Sequence, residues 1–376
     1  MLKPLTIFIP ILLFVLLFRI KCAKKGNYHE DFLELNQAKC LQGFAAVTII
    51  LHHLTQLVTS YGVVNKGFIN IFNDLGIFCT GIFFFYSGYG LYTSLLTKEN
   101  YLDGFFRKRY SAILIPFFVI NLLFCLVRLP MQEKNPVFII CNVLGVILLN
   151  SNMWYIVEIA ILYLAFYIIF KNPNKRKYGL VKMVIVVVAM IVGSLLLGHD
   201  HYTPSQGIWF MGEWWYNTTA LFLVGMLIAK YRQGIVGFAK KHYIVLLSVS
   251  TVLFGGLFVL RKFVGGVFGY WTEYPGHPEY LDKFITLLSE TTVVVVFVLL
   301  LLLISMKLKF NNCILRFFGK IALELYLVHN LFIMLLGDKK LPDILLYILV
   351  YAGGIGLALF FHWIDGKLVK VIQGKK

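Results

Sequence analysis

The chain is a succession of apolar stretches, most of them about as long as a membrane is thick. A helix needs roughly 20 apolar residues to cross the ~30 Å of hydrocarbon in a bilayer, and such stretches recur along all 376 residues. Charged residues make up 14% of the chain and hydrophobic ones 59%, whereas soluble domains are about 25% charged. The predicted fold class is therefore all-α, a polytopic membrane helix bundle.

Ten core spans are expected, together with two shorter apolar elements. An apolar stretch at 5–20 predicts an extra N-terminal helix, and a stretch at 137–149 predicts a short re-entrant or interfacial helix. The core spans are expected near 39–60, 70–95, 110–128, 153–170, 179–197, 214–230, 243–261, 286–306, 314–336 and 343–364.

The chain reads as one integral domain at 37–376, preceded by an N-terminal apolar helix and cytoplasmic linker at 1–36. Lys3 and the apolar run after it resemble a signal peptide, but no small-residue cleavage site follows, so an uncleaved helix is expected. The six cysteines show no paired spacing and predict neither a disulfide framework nor a zinc site. The His199 and His201 pair is too short a signal to indicate a metal, and no permanently bound cofactor is expected.

The net charge of +17 alternates along the loops. Basic loops stay on the cytoplasmic side of a membrane, while 198–213 and 265–282 are acidic or neutral and rich in aromatics. This pattern predicts a multi-pass protein of the cell membrane with a cytoplasmic C-terminus, and it explains the charge without a nucleic-acid partner. The basic clusters lie within 19–39, 98–109, 171–177, 230–241, 307–320 and 367–376.

His53 is the most informative single residue, because it lies deep in the apolar stretch QAKCLQGFAAVTIILHHLTQL. An ionisable group inside a membrane indicates a functional site, and histidine exchanges protons near neutral pH. Gln42 is eleven residues earlier on nearly the same helix face, and Lys39 is within about 40° of it. A polar stripe is therefore expected to lead from the inner surface to His53. The alternative is that His53 only makes a hydrogen bond between helices.

Two further ionisable residues are expected at the depth of His53. Glu158, in MWYIVEIAILYL, and His329, in LELYLVHNLF, each lie about as far from an outer helix end as His53 does. A carboxylate beside an imidazole fixes its tautomer and supports its cationic form, so Glu158 is predicted to orient His53. The alternatives are a structural ion pair for Glu158 and a structural polar contact for His329.

Other polar residues in the apolar stretches favour structural roles. Glu324 is expected near the middle of the bilayer and therefore paired, since an isolated charge there is costly. Glu290 and Asp74 are expected close to the outer surface, within reach of water. His52 points about 100° away from His53 on a helix and is expected to pack or to lie at the interface.

Two further segments are expected toward the cytoplasmic side. Ser87 and Gly88, in GIFFFYSGYGL, are small enough for close helix approach. Arg107, Lys108 and Arg109 open the next span; they either reflect the positive-inside rule or bind phosphates. Tryptophans cluster at outer helix ends and loops, where they form an interfacial belt or stack on sugars: Trp154, Trp209, Trp214, Trp215 and Trp271.

Five segments, in order, give the chain a family resemblance. QGFAAVTIILHHL, GIFFFYSGYGL, FFRKRYSAILIPFF, MWYIVEIAILY and FGKIALELYLVH resemble the motifs of acyltransferase family 3, the bacterial integral membrane O-acyltransferases. The resemblance covers 37–365. No single motif is specific, but five in sequence are.

The resemblance implies roles for particular residues. It implies His53 and Glu158 as catalytic residues, and it implies acyl-CoA as the cytoplasmic donor and a hydroxyl of a surface glycan or lipid-linked glycan as the acceptor. The chain departs from the family pattern where Gln42 replaces the first-helix Arg, leaving Lys39 to supply its charge, and where Ile113 and Ala322 replace an Arg and a Ser. Of the donor site, the resemblance implies Ser87, Gly88 and Arg109. The full set of predicted donor-binding residues is Arg107, Lys108, Arg109, Ser87, Gly88, Lys39 and Gln42, and the predicted substrate-binding residues are His329, Trp154 and Tyr163.

These observations predict an integral membrane O-acyltransferase that moves an acyl group, expected to be acetyl, from acyl-CoA to a cell-envelope carbohydrate. Two other classes of function stay open. Intramembrane ionisable residues also line the paths of transporters and flippases for lipid-linked sugars, and the same residues also join helices in a non-catalytic envelope-assembly protein.

Overall fold

The computed structural model describes residues 8–128, 135–197, 217–268 and 280–374. The regular secondary structure of these residues is helical apart from one pair of two-residue strands. The α-helices are α1 Phe8–Leu17, α2 Leu35–Thr59, α3 Gly76–Thr97, α4 Ser111–Arg128, α5 Pro136–Val143, α6 Trp154–Phe170, α7 Gly179–Leu197, α8 Ala220–Lys230, α9 Arg232–Lys241, α10 Tyr243–Phe268, α11 Tyr280–Lys307, α12 Cys313–Lys320, α13 Ala322–Leu336 and α14 Asp343–Gln373. The strands β1 Lys21–Cys22 and β2 Leu308–Lys309 pair antiparallel.

Within this described part, eight helices are long and apolar enough to cross a membrane, or up to ten if each of two bent pairs forms one span. Their apolar faces that do not pack against other helices remain exposed, most completely along α10, as expected where lipid is the solvent. The prediction of an all-α polytopic membrane bundle with a short N-terminal helix is confirmed.

The two bent pairs differ from the predicted straight spans at 214–230 and 314–336. Helices α8 and α9 meet at 86°, and α12 and α13 meet at 76°. At the second bend, Ile321 leaves the helical region (φ −103°, ψ 13°). Gly319, just before it, lies so close to α2 that an added Cβ would overlap the backbone oxygen of Lys39. This backbone contact between helices accompanies the bend, and apolar content alone does not predict it.

The short apolar elements do not cross the bundle as spans. Helix α1 has ten residues, about 15 Å of rise, and packs its Phe8 ring 5.2 Å from the Tyr347 ring. Asn312, at the start of α12, donates to the Val15 carbonyl at 2.9 Å. Helix α5 has eight residues, seven of which lie in the predicted 137–149 element.

Side-chain contacts gather the basic segments at one end of the bundle, here called the basic end. Lys240 forms an ion pair with Glu30 at 2.5 Å, Lys309 pairs with Asp31, and Gln373 donates to the Lys108 carbonyl at 3.3 Å. The basic end therefore comprises Lys39, 107–109, 230–241, 307–320 and 367–374. Segments from five of the six basic clusters predicted from the sequence lie at this end.

Candidate functional site

His53 lies on α2, and its ring stacks on the ring of His329 from α13. The ring centroids are 5.2 Å apart and the planes are inclined by 19°. His53 is half-buried, whereas His329 is fully buried. Two residues 276 positions apart, which the sequence placed at the same depth, thus meet in one layer.

The tautomer of His53 is set from within its own helix. Gln56, three residues later, lies with its Oε1 3.0 Å from His53 Nδ1. An amide oxygen only accepts, so Nδ1 carries the hydrogen and donates it. The Nε2 atom of His53 is then an unprotonated acceptor in the neutral ring, which is the form that a general base requires.

The same arrangement recurs at His329. Its Nδ1 donates to the Tyr326 backbone carbonyl at 2.7 Å, so Nε2 is again the bare nitrogen. This Nε2 is buried and has no hydrogen-bond partner among the described residues. The two stacked rings therefore have the same tautomer.

His52 has a different environment from its neighbour. Its Nδ1 donates to the Phe72 carbonyl at 2.9 Å, and a Cβ on Gly76 would lie 2.6 Å from its Nε2. His52 therefore joins α2 to the start of α3, in line with the packing role expected for it.

Glu158 is fully buried on α6, but it does not orient His53. One of its carboxylate oxygens accepts a hydrogen bond from Thr219, and the other has no partner within the described ranges. No hydrogen bond or ion pair joins Glu158 to His53 in that part of the chain. The predicted orienting contact is replaced by Gln56, because equal depth does not fix which way a side chain points around its helix. A catalytic role for Glu158 stays a prediction.

A polar path connects the histidine layer with Ser87. The half-buried Ser87 hydroxyl lies 3.1 Å from the Tyr155 hydroxyl. The Tyr155 ring is 5.9 Å from the Tyr326 ring, which is 6.2 Å from the His329 ring. Tyr163 also interacts with Ser87. Ser87 and Tyr163, two of the predicted residues, are therefore joined to the histidines through two tyrosines.

The three basic residues of the Phe106–Tyr110 π-helical turn do not point the same way. Arg107 and Lys108 are exposed, and Lys108 Nζ donates to the Asp103 carbonyl at 3.2 Å. Arg109 is half-buried, with its guanidinium carbon 5.4 Å from the Tyr101 ring centroid. Among these three, Arg109 also interacts electrostatically with Tyr163, so it is the one at the start of the polar path.

The two predicted residues on the first turns of α2 differ from each other. Lys39 interacts electrostatically with Arg109 and with Glu324, which places its charge beside the entrance of the path. Glu324 is paired as expected, with His362 Nδ1 2.9 Å from its Oε1. Gln42 is half-buried and makes no side-chain hydrogen bond to the described residues.

Gly88, one of the predicted donor-binding residues, packs directly against another helix. A Cβ there would overlap the backbone oxygen of Phe222 on α8, and a Cβ on Gly225 would overlap the backbone oxygen of Phe85 on α3. Small residues of this kind let membrane helices approach closely. This contact packs α3 closely against α8.

Sequence reasoning missed an ionic network at the end of the bundle away from the basic end. Arg261 lies 3.2 Å from Asp74 and 3.2 Å from Glu290, and Asn217 donates to Glu290 at 2.8 Å. The expectation that Asp74 and Glu290 meet water is wrong, since their side chains are only 12% and 9% exposed. Arg261 ends the predicted span 243–261, and that position was the only signal of a partner.

Some predicted residues lie outside the described residues: Trp209, Trp214, Trp215, Trp271, His199 and His201. Trp154 is buried, with its ring 6.2 Å from the Phe84 ring. Over 8–128, 135–197, 217–268 and 280–374, no group of three or more His, Cys, Asp or Glu residues is placed to hold a metal ion.

The fold and the site together define a polytopic membrane protein with an ionisable site between its helices. The sequence model of acyltransferase family 3, described as an acyltransferase domain, matches residues 35–364, and the chain belongs to this family. The protein is therefore a membrane-bound acyltransferase. No curated protein and no solved structure matches the chain.

Proposed function

We propose that this acyltransferase moves an acetyl group from cytoplasmic acetyl-CoA to a hydroxyl of a cell-envelope carbohydrate, with His53 as general base. The observation that carries the proposal is the hydrogen bond from His53 Nδ1 to Gln56 at 3.0 Å, which leaves Nε2 as an acceptor. His53 is half-buried rather than sealed among aliphatic side chains, and access to a substrate group requires such partial exposure.

The donor is assigned to the basic end, which in this proposal faces the cytoplasm. Arg109 and Lys39 are close enough to interact electrostatically and supply two positive charges for CoA phosphates. Arginine binds phosphate through paired N–H groups and lysine as a point charge. Arg107 and Lys108, which are exposed, add charge outside this entrance. The pantetheine arm then follows the path past Tyr163 and Ser87.

The chemistry is a single acyl transfer that needs no redox partner. The acceptor hydroxyl gives its proton to His53 Nε2 while its oxygen attacks the thioester carbonyl carbon. The carbon–sulfur bond breaks, the thiolate takes up the proton, and the products are an ester and free CoA. Gln56 accepts from Nδ1 throughout and so supports the cationic ring that forms in between. Glu158 is proposed to balance this charge from a distance, since it does not contact the ring.

The test is release of CoA thiol from acetyl-CoA by the purified protein in detergent, compared between wild type and His53→Ala. A positioned general base contributes ~10²–10⁴-fold in rate, so the variant is expected to lose activity by that factor while remaining folded. His242→Ala, at the end of α9 and away from the site, is the matched control. Equal activity in His53→Ala and wild type would refute the proposal.

Mass spectrometry of envelope glycans from cells with and without the protein tests the acceptor and the acyl group. An acetyl mass difference on glycans is expected with wild type and is expected to be absent with His53→Ala. A different acyl mass would correct the donor, and an unchanged glycan profile would remove the carbohydrate acceptor from the proposal.

A further inference from the structure

Helix α9 lies across the basic end of the bundle instead of passing through it. The helix before it, α8, packs along the membrane-spanning helix α3, because a Cβ on Gly88 or on Gly225 would overlap the backbone of the other helix. Helix α9 turns away from α8 by 86°. The turn follows Lys230, the first charged residue after the apolar run 220–229. A helix perpendicular to a span at the end of its apolar run lies in the plane of the membrane surface.

One side of α9 is attached to the rest of the protein. Lys240 forms an ion pair with Glu30 at 2.5 Å, and Arg232 donates to the backbone carbonyl of Glu30 at 3.4 Å. Glu34 and Arg232 both interact electrostatically with Tyr89. The two acidic residues near α9 are therefore placed on this inward side, where they compensate the charges of Lys240 and Arg232.

A second side of α9 is apolar and uncovered. Tyr231, Ile235 and Phe238 are all exposed, Phe238 by 58%. They are spaced by four and by three residues and therefore share one face of a helix. An exposed apolar face on a helix in the membrane plane is suited to contact with the upper part of the lipid acyl chains.

The remaining surface of this segment carries positive charge that no carboxylate compensates. Lys230 and Lys241 are exposed, and neither forms an ion pair with any residue that the structure describes. No aspartate or glutamate occurs anywhere in 220–268. Lysines at the edge of an apolar helix face match a ligand that has both an anionic group and apolar chains.

We propose that α9 binds anionic phospholipid, with Lys230 and Lys241 at the lipid phosphates and with Ile235 and Phe238 against the acyl chains. The proposal concerns the membrane surface of the protein and does not depend on the proposed acyl transfer. A free phosphate ion would use the two lysines but not the apolar face between them. Basic residues that serve only to orient the chain would leave the lipid composition beside α9 equal to that of the bilayer.

The experiment identifies the lipid that lies beside α9. The full chain carries the photo-crosslinking residue p-benzoylphenylalanine in place of Phe238, in nanodiscs of equimolar phosphatidylglycerol and phosphatidylcholine with identical acyl chains. After irradiation, mass spectrometry counts the two lipids attached to the α9 peptide. The same residue in place of Val252 is the matched control, because Val252 is 77% exposed on α10 and no charged residue occurs in 243–260.

Lipid is expected to attach at both positions, but phosphatidylglycerol is expected to be in excess only at position 238. The expected excess is about fivefold, the effect of one lysine close to a membrane surface. Lys230→Gln combined with Lys241→Gln is expected to bring the ratio of the two lipids to about one and to leave the total amount of attached lipid unchanged. Lys339→Gln combined with Lys340→Gln, at two exposed lysines after α13, is the control and should leave the excess in place.

Three results would overturn the proposal. Attachment of position 238 to a second copy of the chain, without lipid, would show that another protein surface covers α9. Equal amounts of the two lipids at position 238 would show that α9 does not select the headgroup. An excess that survives the Lys230 and Lys241 substitutions would show that these lysines do not bind it.

A second test uses the chain without further substitutions and separates lipid from free phosphate. Raising the salt to about 1 M, where the Debye length is about 3 Å, is expected to reduce the phosphatidylglycerol excess. Inorganic phosphate added at constant ionic strength is expected to leave the excess unchanged. Loss of the excess on addition of inorganic phosphate would overturn the assignment to lipid and indicate a site for free phosphate.

Discussion

Two groups of polar residues inside the bundle differ in whether their hydrogen bonds are complete. In the ionic network, Arg261 contacts both Asp74 and Glu290, and Asn217 contacts Glu290 as well. In the histidine layer, His329 Nε2 has no partner in the described part of the chain.

The difference separates structural polar groups from functional ones. A buried charge is stable when opposite charges and hydrogen bonds compensate it, and the ionic network meets that condition with residues of the chain. In the histidine layer, Nε2 of His329 has no such partner among the described residues. We therefore expect substitutions in the network to change stability, and substitutions in the histidine layer to change activity.

The largest effect on stability is expected from Arg261→Met. Removing one partner of a buried ion pair typically costs about 3–5 kcal/mol, and here Glu290 loses the guanidinium that contacts it while Asp74 keeps its contact with Lys262. Chemical denaturation of the purified protein in detergent should show this loss, while thiol release per folded molecule stays at the wild-type level. Lys262→Met is the matched control: Lys262 also contacts Asp74, at 2.8 Å, but its side chain is 55% exposed, so about 0–1 kcal/mol is expected. Similar losses of stability in both variants would show that the stability contributed by the network does not depend on the burial of its side chains.

The next largest effect on stability is expected at Gly88. A role of Gly88 in helix packing and a role in donor binding predict different results. A Cβ there would overlap the Phe222 backbone oxygen, and overpacking of this kind costs about 1–3 kcal/mol. Gly88→Ala is therefore expected to lower the denaturation midpoint.

Gly90→Ala is the control for this substitution, since nothing lies within 4 Å of a Cβ at Gly90. It is expected to leave the midpoint unchanged or to raise it, because alanine favours the helix over glycine. If Gly88→Ala instead raises the KM for acetyl-CoA at unchanged stability, Gly88 binds the donor rather than α8.

A smaller effect, on activity alone, is expected at Gln56. Gln56→Ala removes the acceptor for His53 Nδ1, and a hydrogen bond of this type is worth roughly tenfold in rate. Thiol release is the measurement. Gln56→Glu retains an oxygen at the same position and is expected to recover activity, which a packing role would not produce. Equal activity in Gln56→Ala and wild type would show that the tautomer of His53 is set by another group.

The sequence predicted the helices well because span length and apolar content are local properties. It did not predict the bends at Tyr231 and Ile321. The bend at Ile321 accompanies the contact of Gly319 with the Lys39 backbone, which joins residues 280 positions apart. The depth of a residue along the membrane could also be predicted from its position in a span, and His53 and His329 do meet. The direction in which a side chain points around its helix could not be predicted, and Glu158 contacts Thr219 instead of His53.

The contact between Gln56 and His53 is one that residue spacing alone can predict. It follows His53 by three residues, a separation at which side chains on one helix meet, so its contact was within reach of sequence reasoning. Arg261 was not, because its partners lie on the Gly67–Asp74 turn and on α11. Ion pairs between segments far apart in the sequence can be identified only once the fold is known.

The smallest effect is expected outside the membrane, at the ion pair of Asp31 with Lys309, where both side chains are partly exposed. The hydrogen bond from Lys309 lowers the pKa of Asp31 below its ordinary value of 3.8. A carboxyl with a lowered pKa in the folded state stabilises the protein above its unfolded pKa, and this contribution is lost as the pH falls through the folded pKa. Asp31→Asn is therefore expected to cost at most about 1 kcal/mol at neutral pH. Denaturation midpoints should show the gap between wild type and variant holding from about pH 8 to 5 and closing below about pH 4. A gap that persists unchanged in acid would mean that Asp31 contributes through its shape rather than through its charge.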